Sequence, residues 1–310
     1  MTLAKYNPKR LVIYSRDEMK QWEMSQKFAG DKRVNFIIGD VRDKDRLTRA
    51  LDGIDNVVHA AATKIVPIAE YNSFECVKTN INGAMNLIDA CIDRGIKRVV
   101  ALSTDKASNP INLYGATKLA SDKLFVVGND YAGTHETRFS VVRYGNVMGS
   151  RGSVIPFFMS LAHTNVLPIT DARMTRFMIT LEQGVELVWH AFDDMVGGEI
   201  YVKKIPSMSI QTIADAIAPL AEKKIIGIRP GEKIHEQMIG LEDAPNTFSY
   251  KGHYKILPSI HNWAADTLRI KDGVKVAENF RYSSDNNEDW MTLDQLRAWI
   301  AVNRDKVGKI

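Results

Sequence analysis

The sequence predicts an α/β fold, in which a doubly wound parallel sheet carries helices on both faces and a smaller C-terminal part is attached. Three observations predict this fold. Short apolar runs alternate with helical stretches through the first half of the 310 residues. Several runs are continuously apolar, which is typical of strands buried on both faces. Polar residues follow these runs, and open α/β sheets bind ligands beyond the carboxyl ends of their strands.

The first half alternates strand and helix in the order that parallel strands with crossover helices require. The predicted strands are residues 11–15, 34–40, 56–59, 95–101 and 139–144. The predicted helices are residues 17–28, 44–51, 73–94 and 113–127. Near the C-terminus, Thr292 and Gln295 form a capping box that opens a helix. One face of that helix is apolar and is predicted to serve docking or an oligomer contact; it carries Leu293, Leu296 and Ile300.

The composition favours a soluble globular enzyme with one large domain or two closely joined ones, since 45% of the residues are hydrophobic and 25% charged. The net charge of +4 is spread along the chain, so a nucleic-acid partner is not predicted. Cys76 and Cys91 are predicted to be reduced core residues of a cytosolic protein. No metal-ligand spacing, transmembrane run or signal peptide is found, which favours a cytoplasmic location without a membrane partner.

Tyr114 and Lys118 are the first candidates for chemistry. They lie four residues apart on a predicted helix and therefore share one of its faces. A free tyrosine titrates at pH ~10, and a neighbouring ammonium lowers that pKa by favouring the phenolate. Such a pair can take a proton from an alcohol while a hydride leaves the same carbon. An ordinary surface pair has the same spacing, but Asp105 and Lys106 just upstream, at a strand end, favour the functional interpretation.

Several strand ends carry residues that suit a dinucleotide. Arg16 follows the first strand, where an arginine can hold the 2′-phosphate of NADP; a polar helix start with Ser15 as N-cap is the equal alternative. Asp40 and Val41 follow the second strand and could meet an adenine edge. Small side chains after the third strand would let the backbone approach a cofactor, although a tightly packed turn has the same composition. The residues predicted to bind NADP are Ser15, Arg16, Asp40, Val41, Ala60, Ala61, Ala62, Lys64, Tyr114 and Lys118.

A glycine-rich turn is expected in a dinucleotide fold but is not found. It should follow the first strand, about 20 residues before the ribose-reading position. A position about 20 residues before Arg16 would lie before Met1. Residues 1–6 have the pattern of the last turns of a helix. We therefore expect the chain to start inside that helix and to lack the central first strand and the pyrophosphate cradle. It should then bind NADP weakly or not at all, and tight NADP binding by the 310-residue chain would contradict this expectation.

Four motifs occur together: STDK at residues 103–106, NLYGATK at 112–118, VRYGNV at 142–147 and RPGEK at 229–233. In this combination the chain resembles the extended short-chain dehydrogenase/reductases, which have a Rossmann-like fold. Among these proteins it most resembles the inverting UDP-N-acetylglucosamine 4,6-dehydratases of pseudaminic acid synthesis. Related families differ at these places: sugar epimerases generally lack the Asp–Lys pair, dTDP-glucose dehydratases have Asp–Glu, and retaining UDP-sugar dehydratases have Met in place of Tyr114.

The resemblance implies a mechanism. Tyr114, assisted by Lys118, takes the proton of the C4 hydroxyl as hydride passes to NADP⁺, and Thr104 hydrogen-bonds the C4 oxygen. Lys106 removes the C5 proton; it must be neutral, and we expect burial and Lys118 to lower its pKa. Asp105 protonates the departing C6 hydroxyl and needs a raised pKa. Hydride then returns to C6, and C5 inversion gives a UDP-4-keto-6-deoxy-hexose. The alternative for Asp105 and Lys106 is a solvated ion pair in a turn.

The resemblance also implies that residues 1–165 bind NADP and that residues 166–310, which are interleaved with the first part, bind the UDP-sugar. It further implies a homo-oligomer. Arginines suit the diphosphate because guanidinium groups bind phosphate in bidentate fashion, although a single surface arginine looks the same. Glu232 follows a rigid turn and could take the ribose hydroxyls. The residues predicted to bind the UDP-sugar are Asn146, Ser153, Val154, Arg173, Arg176, Arg229 and Glu232.

Two alternatives to the dehydratase remain open. One is a catalytically silent binding or assembly subunit, which the missing glycine turn favours. The other is an NADP-dependent UDP-sugar epimerase. Incubating a full-length form with UDP-N-acetylglucosamine separates the three by mass: loss of water indicates the lyase, an isobaric product the epimerase, and no change the silent protein.

Overall fold

The computed structural model describes residues 2–260, 263 and 265–309 in full, and the backbone alone at residues 261, 262 and 264. Every element predicted for the first half is present within a few residues of its expected bounds. The helices are α1 (Thr2–Tyr6), α2 (Glu18–Lys27), α3 (Lys44–Ala50), α4 (Val66–Tyr71), α5 (Ser73–Val77), α6 (Gly83–Asp93), α7 (Leu113–Tyr131), α8 (Val154–Leu161), α9 (Leu181–Asp194), α10 (Ile210–Ile217), α11 (Thr267–Ile270) and α12 (Leu293–Asn303). The strands are β1 (Leu11–Ser15), β2 (Val34–Ile38), β3 (Asn56–His59), β4 (Arg98–Leu102), β5 (Arg138–Arg143), β6 (Asn146–Val147), β7 (Val166–Ile169), β8 (Thr175–Ile179), β9 (Ile200–Lys203), β10 (Ser207–Ser209), β11 (Glu222–Ile225), β12 (Gln237–Ile239), β13 (Thr247–Ser249), β14 (His253–Ile256), β15 (Val274–Lys275) and β16 (Tyr282–Ser283).

The central sheet has seven strands in the order β15-β13-β14-β9-β5-β4-β3. Its core, β3, β4, β5 and β9, is parallel, and β14 joins antiparallel to β9. The predicted parallel α/β sheet is therefore confirmed, and strands from both sides of residue 165 take part in it. β1 and β2 form a separate parallel pair. Within the described residues, β1 pairs only with β2 and β3 only with β4, so each of β1 and β3 has one edge without a strand partner.

Strands β4 and β5 carry the core because they are paired on both edges and covered on both faces. Val99 and Val141 point into a cluster with residues of α6 and α7, including Phe125. Val100 and Val142, one position further along, pack against residues of α9 instead. Alternate residues of a strand face opposite sides, so a continuously apolar strand fills both layers. Each of these five side chains is fully buried.

A second core lies in the C-terminal half, between α8, α10, α12 and the strands beside them. Leu296 of α12 is fully buried in it, with Leu293 and Ile300 packed alongside. The capping box of Thr292 and Gln295 that opens α12 is present. The apolar face of this helix therefore docks within the chain.

Three local features refine the sequence prediction. The helix expected over residues 73–94 contains one π turn, Lys78–Asn82, between α5 and α6. The N-cap of α2 is Asp17, whose side chain accepts from the Lys20 N–H at 3.0 Å, so the prediction of Ser15 as N-cap is wrong. The Ser15 hydroxyl instead accepts from the Asp17 N–H at 3.2 Å. Cys76 and Cys91 are free thiols in the core, as predicted.

No helix in the described part of the chain is both long and apolar enough to cross a membrane.

Candidate active site

A short turn after β4, residues 104–107, carries the Asp–Lys pair; we call it the Asp–Lys turn. Thr104 caps it, and its hydroxyl donates to Asp105 Oδ1 at 2.9 Å. The Asp105 N–H donates to the Tyr144 carbonyl beyond β5 at 3.3 Å. Asp105 is fully buried and Lys106 is about a quarter exposed. The alternative of a solvated turn ion pair is therefore wrong, because the carboxylate has no contact with solvent.

Helix α7 packs directly against the Asp–Lys turn through Gly115. A Cβ atom on Gly115 would lie 2.2 Å from the Lys106 carbonyl oxygen and 3.0 Å from Pro110 Cβ. Only glycine allows this approach. The helix starts there because the Asn112 side chain accepts from the Gly115 N–H at 2.7 Å. Tyr114, on the first turn of α7, is therefore buried close to the Asp–Lys pair, and Lys118, one turn further along, is buried beside Asp122.

The segment before β12, residues 231–236, forms the other wall of the site. Asn112 Nδ2 donates to the Gly231 carbonyl at 2.7 Å, and Lys233 Nζ donates to the Ser108 carbonyl at 2.6 Å. Glu236 Oε1 lies 3.2 Å from Lys106 Nζ. Three contacts thus join this segment to residues 106–112.

Sequence reasoning missed Lys233 as a contact and Glu236 altogether. The sequence signal for Glu236 is weak, because it precedes β12, whereas ligand-binding residues of α/β sheets are expected after the carboxyl ends of strands.

Lys106 lies between two carboxylates. Its Nζ is 3.0 Å from Asp105 Oδ1 and 3.2 Å from Glu236 Oε1. Burial acts to lower the pKa of Lys106, but the charges of Asp105 and Glu236 outweigh it and raise that pKa above its usual value. The expectation of a lowered pKa is therefore wrong. Lys106 is an ammonium in this arrangement and must pass a proton to a neighbour before it can act as a base.

Asp105 is perturbed in the direction that an acid requires. Burial raises its pKa, with the Lys106 charge opposing and the Glu236 charge adding to the effect. Burial also has the largest effect on the pKa of Tyr114. It raises that pKa to about 12, although Lys106 and Thr104 act to lower it. The expected lowering of the Tyr114 pKa by Lys118 is therefore wrong. Burial lowers the pKa of Lys118 itself, while Asp122 opposes this shift.

The residues predicted to bind NADP lie at the carboxyl ends of β1, β2 and β3 and at the start of α7. Arg16 is 61% exposed in its side chain, with Nη1 3.6 Å from Asp40 Oδ2. Asp40 also accepts two hydrogen bonds from the Arg42 side chain, at 2.8 and 3.0 Å. Ser15 and Val41 adjoin them, and Ala60, Ala61, Ala62 and Lys64 form the loop between β3 and α4.

The residues at this edge suit the two ends of a dinucleotide. In the described part of the chain, they do not supply a backbone cradle for the pyrophosphate in its middle. An exposed guanidinium at the end of β1 suits a 2′-phosphate, and the buried Lys118 ammonium suits ribose hydroxyls. Within the described residues, no glycine-rich turn lies between these two groups. Lys118 is held in place through its helix: Asn80 Nδ2 donates to Thr117 Oγ1 at 3.0 Å and to the Thr63 carbonyl at 3.1 Å.

The residues predicted to bind the UDP-sugar come from three stretches of chain: residues 146–154, residues 173–176 and residues 229–232. Arg173 is exposed and pairs with Asp171 at 2.7 Å, and Arg229 pairs with Glu232. Arg176 is buried and donates to the carbonyls of Thr175 and Ile234 at 2.7 and 3.0 Å. Three further members lie nearer to solvent without being fully exposed: Asn146 on β6, Ser153 at the N-cap of α8, and Val154 as its first residue.

A parallel α/β sheet that ends in an Asp–Lys turn beside a Tyr-x-x-x-Lys helix defines an extended short-chain dehydrogenase/reductase. The model of the polysaccharide biosynthesis protein family matches residues 1–258. An inverting UDP-N-acetylglucosamine 4,6-dehydratase of Campylobacter jejuni is 55% identical over 302 residues, which cover 95% of this chain and 90% of that protein. The chain belongs to the polysaccharide biosynthesis protein family and, within it, to the inverting UDP-N-acetylglucosamine 4,6-dehydratases.

The chain is also similar to one further curated protein and to one solved structure. A UDP-glucose 4-epimerase of Rickettsia conorii is 40% identical over 253 residues, covering 80% of this chain and 74% of that protein. Among solved structures, Pen from Bacillus thuringiensis superposes with a TM-score of 0.86 at 34% identity, covering 96% of this chain and 90% of that one.

Proposed function

We propose that this protein is a lyase that converts UDP-N-acetylglucosamine to a UDP-4-keto-6-deoxy-hexose with inversion at C5, using NADP as an internally recycled hydride carrier. The observation that carries the proposal is the Asp105–Lys106 ion pair, 3.0 Å long, held on a buried turn against the first turns of the Tyr114 helix. An elimination needs an acid and a base on neighbouring carbons, and this pair offers both.

The first step is oxidation at C4. When bound, NADP supplies a hydride acceptor, and Tyr114, Lys118 and Arg16 would hold it. Tyr114 takes the C4 hydroxyl proton, with Thr104 hydrogen-bonding the C4 oxygen. Burial raises the pKa of Tyr114 to about 12, so its phenolate needs nearby cations to stabilise it. The charge of Lys106 already acts in this direction.

The second step is elimination of water across C5 and C6. Lys106 first passes a proton to Asp105, which leaves a neutral amine and a carboxylic acid in place of an ion pair. The amine takes the C5 proton, and Asp105 protonates the C6 hydroxyl as it departs. Both groups end in the ionic form in which they began, so the pair needs no outside proton source for this step. Return of the hydride to C6 and of a proton to C5 on the opposite face of the ring would then give the 4-keto-6-deoxy product and restore the oxidised cofactor.

The nucleotide sugar is assigned to residues 166–310 and NADP to residues 1–165, with the active site where the two parts meet. Because the two parts are interleaved, Asn146, Ser153 and Val154 from residues 1–165 would also line the sugar site. Guanidinium groups of Arg173, Arg176 and Arg229 are the candidates for the diphosphate, and Glu232 for the ribose. One oxygen of Glu232 is buried without a hydrogen-bond donor among the described residues, which suits a hydroxyl-bearing ligand.

We place the reaction in the cytoplasm, in a homo-oligomer that supplies polysaccharide or pseudaminic acid synthesis. Support for this cellular role comes from the family to which the chain belongs.

Incubation with UDP-N-acetylglucosamine and a large excess of NADP, which offsets the weak cofactor binding expected above, followed by mass spectrometry, tests the function. Loss of one water from the nucleotide sugar is the expected result, and deuterium from heavy water should appear at C5. The rival function is a UDP-sugar epimerase, which the 40% identity to a protein of that name favours. An isobaric product without deuterium at C5 would support the epimerase and overturn the dehydratase. An unchanged substrate would favour a silent binding subunit.

A further inference from the structure

Glu236 is a buried carboxylate to which the mechanism above gives no role. It is 2% exposed. Its N–H donates to Ser284 Oγ at 2.9 Å, and its carbonyl accepts from the Ser284 N–H at 2.8 Å. Oε1 lies 3.2 Å from Lys106 Nζ and 3.8 Å from Arg176 Nε. Because its backbone is bonded on both sides, the carboxylate is kept beside Lys106.

Two carboxylates therefore compete for one ammonium, and each has an unused oxygen. Asp105 Oδ2 and Glu236 Oε2 are buried and lack a hydrogen-bond donor in the described part of the chain. A buried, unpaired anionic oxygen is unfavourable, and protonation of the carboxyl group relieves it. Two carboxylates in one site do not ionise equally, so a proton that leaves Lys106 goes to one of them in preference.

The surroundings of the two carboxylates decide between them. Arg176 lies beside Glu236 and is itself fixed by bonds to the carbonyls of Thr175 and Ile234. Asp105 has no cation other than Lys106 within ion-pair distance in the region that the structure describes. When Lys106 loses its proton, Glu236 keeps a fixed cation and Asp105 keeps none.

We propose that Glu236 is a positioning residue that stays ionised beside Arg176 and thereby directs the Lys106 proton to Asp105. This deepens the proposed dehydration and rests on it. In the transfer, an N–H bond of Lys106 breaks and an O–H bond of Asp105 forms, and the net charge of the cluster is unchanged. Asp105 is then the acid for the C6 hydroxyl, and Lys106 the base for the C5 proton.

The pKa directions agree with this assignment. Burial raises the pKa of Asp105, and the charge of Glu236 acts in the same sense. Burial also acts to raise the pKa of Glu236, but Lys106, Arg176 and Lys233 together hold it below its usual value. The charged and titratable groups that face the Asp–Lys pair are Glu236 and Lys233 before β12, Arg176 on β8 and the Tyr114 phenol on α7.

The test compares Glu236→Gln with Glu199→Gln as the matched control. Glu199 is equally buried but lies away from the Asp–Lys turn, where it accepts from Ser140 Oγ and from the N–H groups of Val196 and Gly197 at 2.7–2.9 Å. The first readout is the rate of reductive methylation of Lys106, followed by peptide mass spectrometry. It requires neither substrate nor cofactor. Without the Glu236 charge the Lys106 pKa falls, so methylation should accelerate about tenfold for each unit of that fall.

The second readout is kinetic. Glu236→Gln should lower kcat at least about tenfold with KM within about threefold, because the loss is in proton transfer and not in substrate binding. The kcat–pH profile should move to lower pH, because both Asp105 and Lys106 lose a raising influence. Deuterium entry at C5 should fall as much as kcat. Glu199→Gln should change none of these, whatever it does to stability.

The outcomes are distinct. An unchanged methylation rate of Lys106 in a folded Glu236→Gln variant would overturn the role of Glu236. A kcat–pH profile that stays at the wild-type pH would also overturn the role of Glu236, even if kcat falls. If wild-type protein forms no dehydrated product, the proposed function fails, while the methylation result still decides whether Glu236 controls the charge of Lys106. Should Glu236→Gln not fold, Glu236→Asp replaces it: the shorter side chain withdraws the charge from Lys106, so methylation should accelerate, and an unchanged rate in the folded variant would overturn the role of Glu236.

Discussion

The Asp–Lys turn and the predicted cofactor edge, which is formed by the residues after β1, β2 and β3, both lie at the carboxyl ends of parallel strands, but the protein holds them in different ways. The turn is buried, is touched by α7 at Gly115, and is joined to the segment before β12 by three contacts. At the cofactor edge, Arg16 and Asp40 pair with each other at 3.6 Å, and the Arg16 side chain is 61% exposed. In the part of the chain that the structure describes, β3 has one edge without a strand partner there, and its Val58 is 45% exposed.

This difference teaches how each site obtains its geometry. At the turn, buried groups fix one another, so a small change displaces several of them at once. At the cofactor edge, exposed charges have alternative partners in water, and each contributes little to stability. The four predictions below test this contrast, and the expected effects decrease from the first to the last.

The largest effect is expected for Lys106→Ala and Asp105→Asn. Each should lower the turnover of UDP-N-acetylglucosamine at least about 10²-fold, because each removes one partner of the proton transfer. UDP binding, measured by calorimetry, should change little and serves as the control for folding. Near-wild-type turnover in either variant would remove that residue from its assigned role.

The second prediction compares two helical glycines. Gly115→Ala should destabilise the protein by up to about 3 kcal/mol, because the new Cβ would meet a backbone carbonyl that cannot move without displacing Lys106. Gly184→Ala on α9, where a Cβ meets nothing within 4 Å, should instead stabilise it by about 0.5–1 kcal/mol. Urea unfolding measures both. Equal effects at the two sites would show that the contact between α7 and the Asp–Lys turn is not tight.

The third prediction concerns acid stability and His59 at the end of β3. Burial, helped by Lys118, lowers the pKa of His59 to about 3 from its usual 6.5. The folded protein therefore keeps His59 neutral, while the unfolded chain gains a proton there below about pH 6.5. Its contribution is complete above that pH and is lost as the pH falls, by about 2 kcal/mol at about pH 5.

Unfolding free energies at about pH 7 and pH 5 check this prediction. In His59→Gln the drop between the two pH values should be smaller by that amount. A drop of the same size in both proteins would show that His59 is solvated.

The smallest effect is expected for Arg16→Ala at the cofactor edge. The free energy of unfolding should stay within about 0.5 kcal/mol of wild type, because the Arg16–Asp40 pair is exposed. Preference for adenosine 2′,5′-bisphosphate over adenosine 5′-phosphate, measured by calorimetry, should fall by about 1 kcal/mol as the guanidinium–phosphate contact is lost. An unchanged preference would place the 2′-phosphate elsewhere.

The sequence by itself determined the elements and their order. Continuous apolar runs predicted β4 and β5, and the four-residue spacing of Tyr114 and Lys118 predicted their shared place on α7. These are local properties, because the periods of helices and strands are written directly in the chain. Strand ends also predicted where Asp105 and Lys106 would lie, since the carboxyl ends of parallel strands meet at one edge.

The tertiary structure alone decided the charges in the site. Glu236 lies 130 positions beyond Lys106 along the chain and comes beside it where the segment before β12 packs against residues 106–112. The charges of Asp105 and Glu236 raise the pKa of Lys106 against the effect of burial, and burial raises the pKa of Tyr114; both directions are opposite to the sequence expectation. A pKa is set by the solvent and charges that surround a group in space, and neither is contained in local sequence.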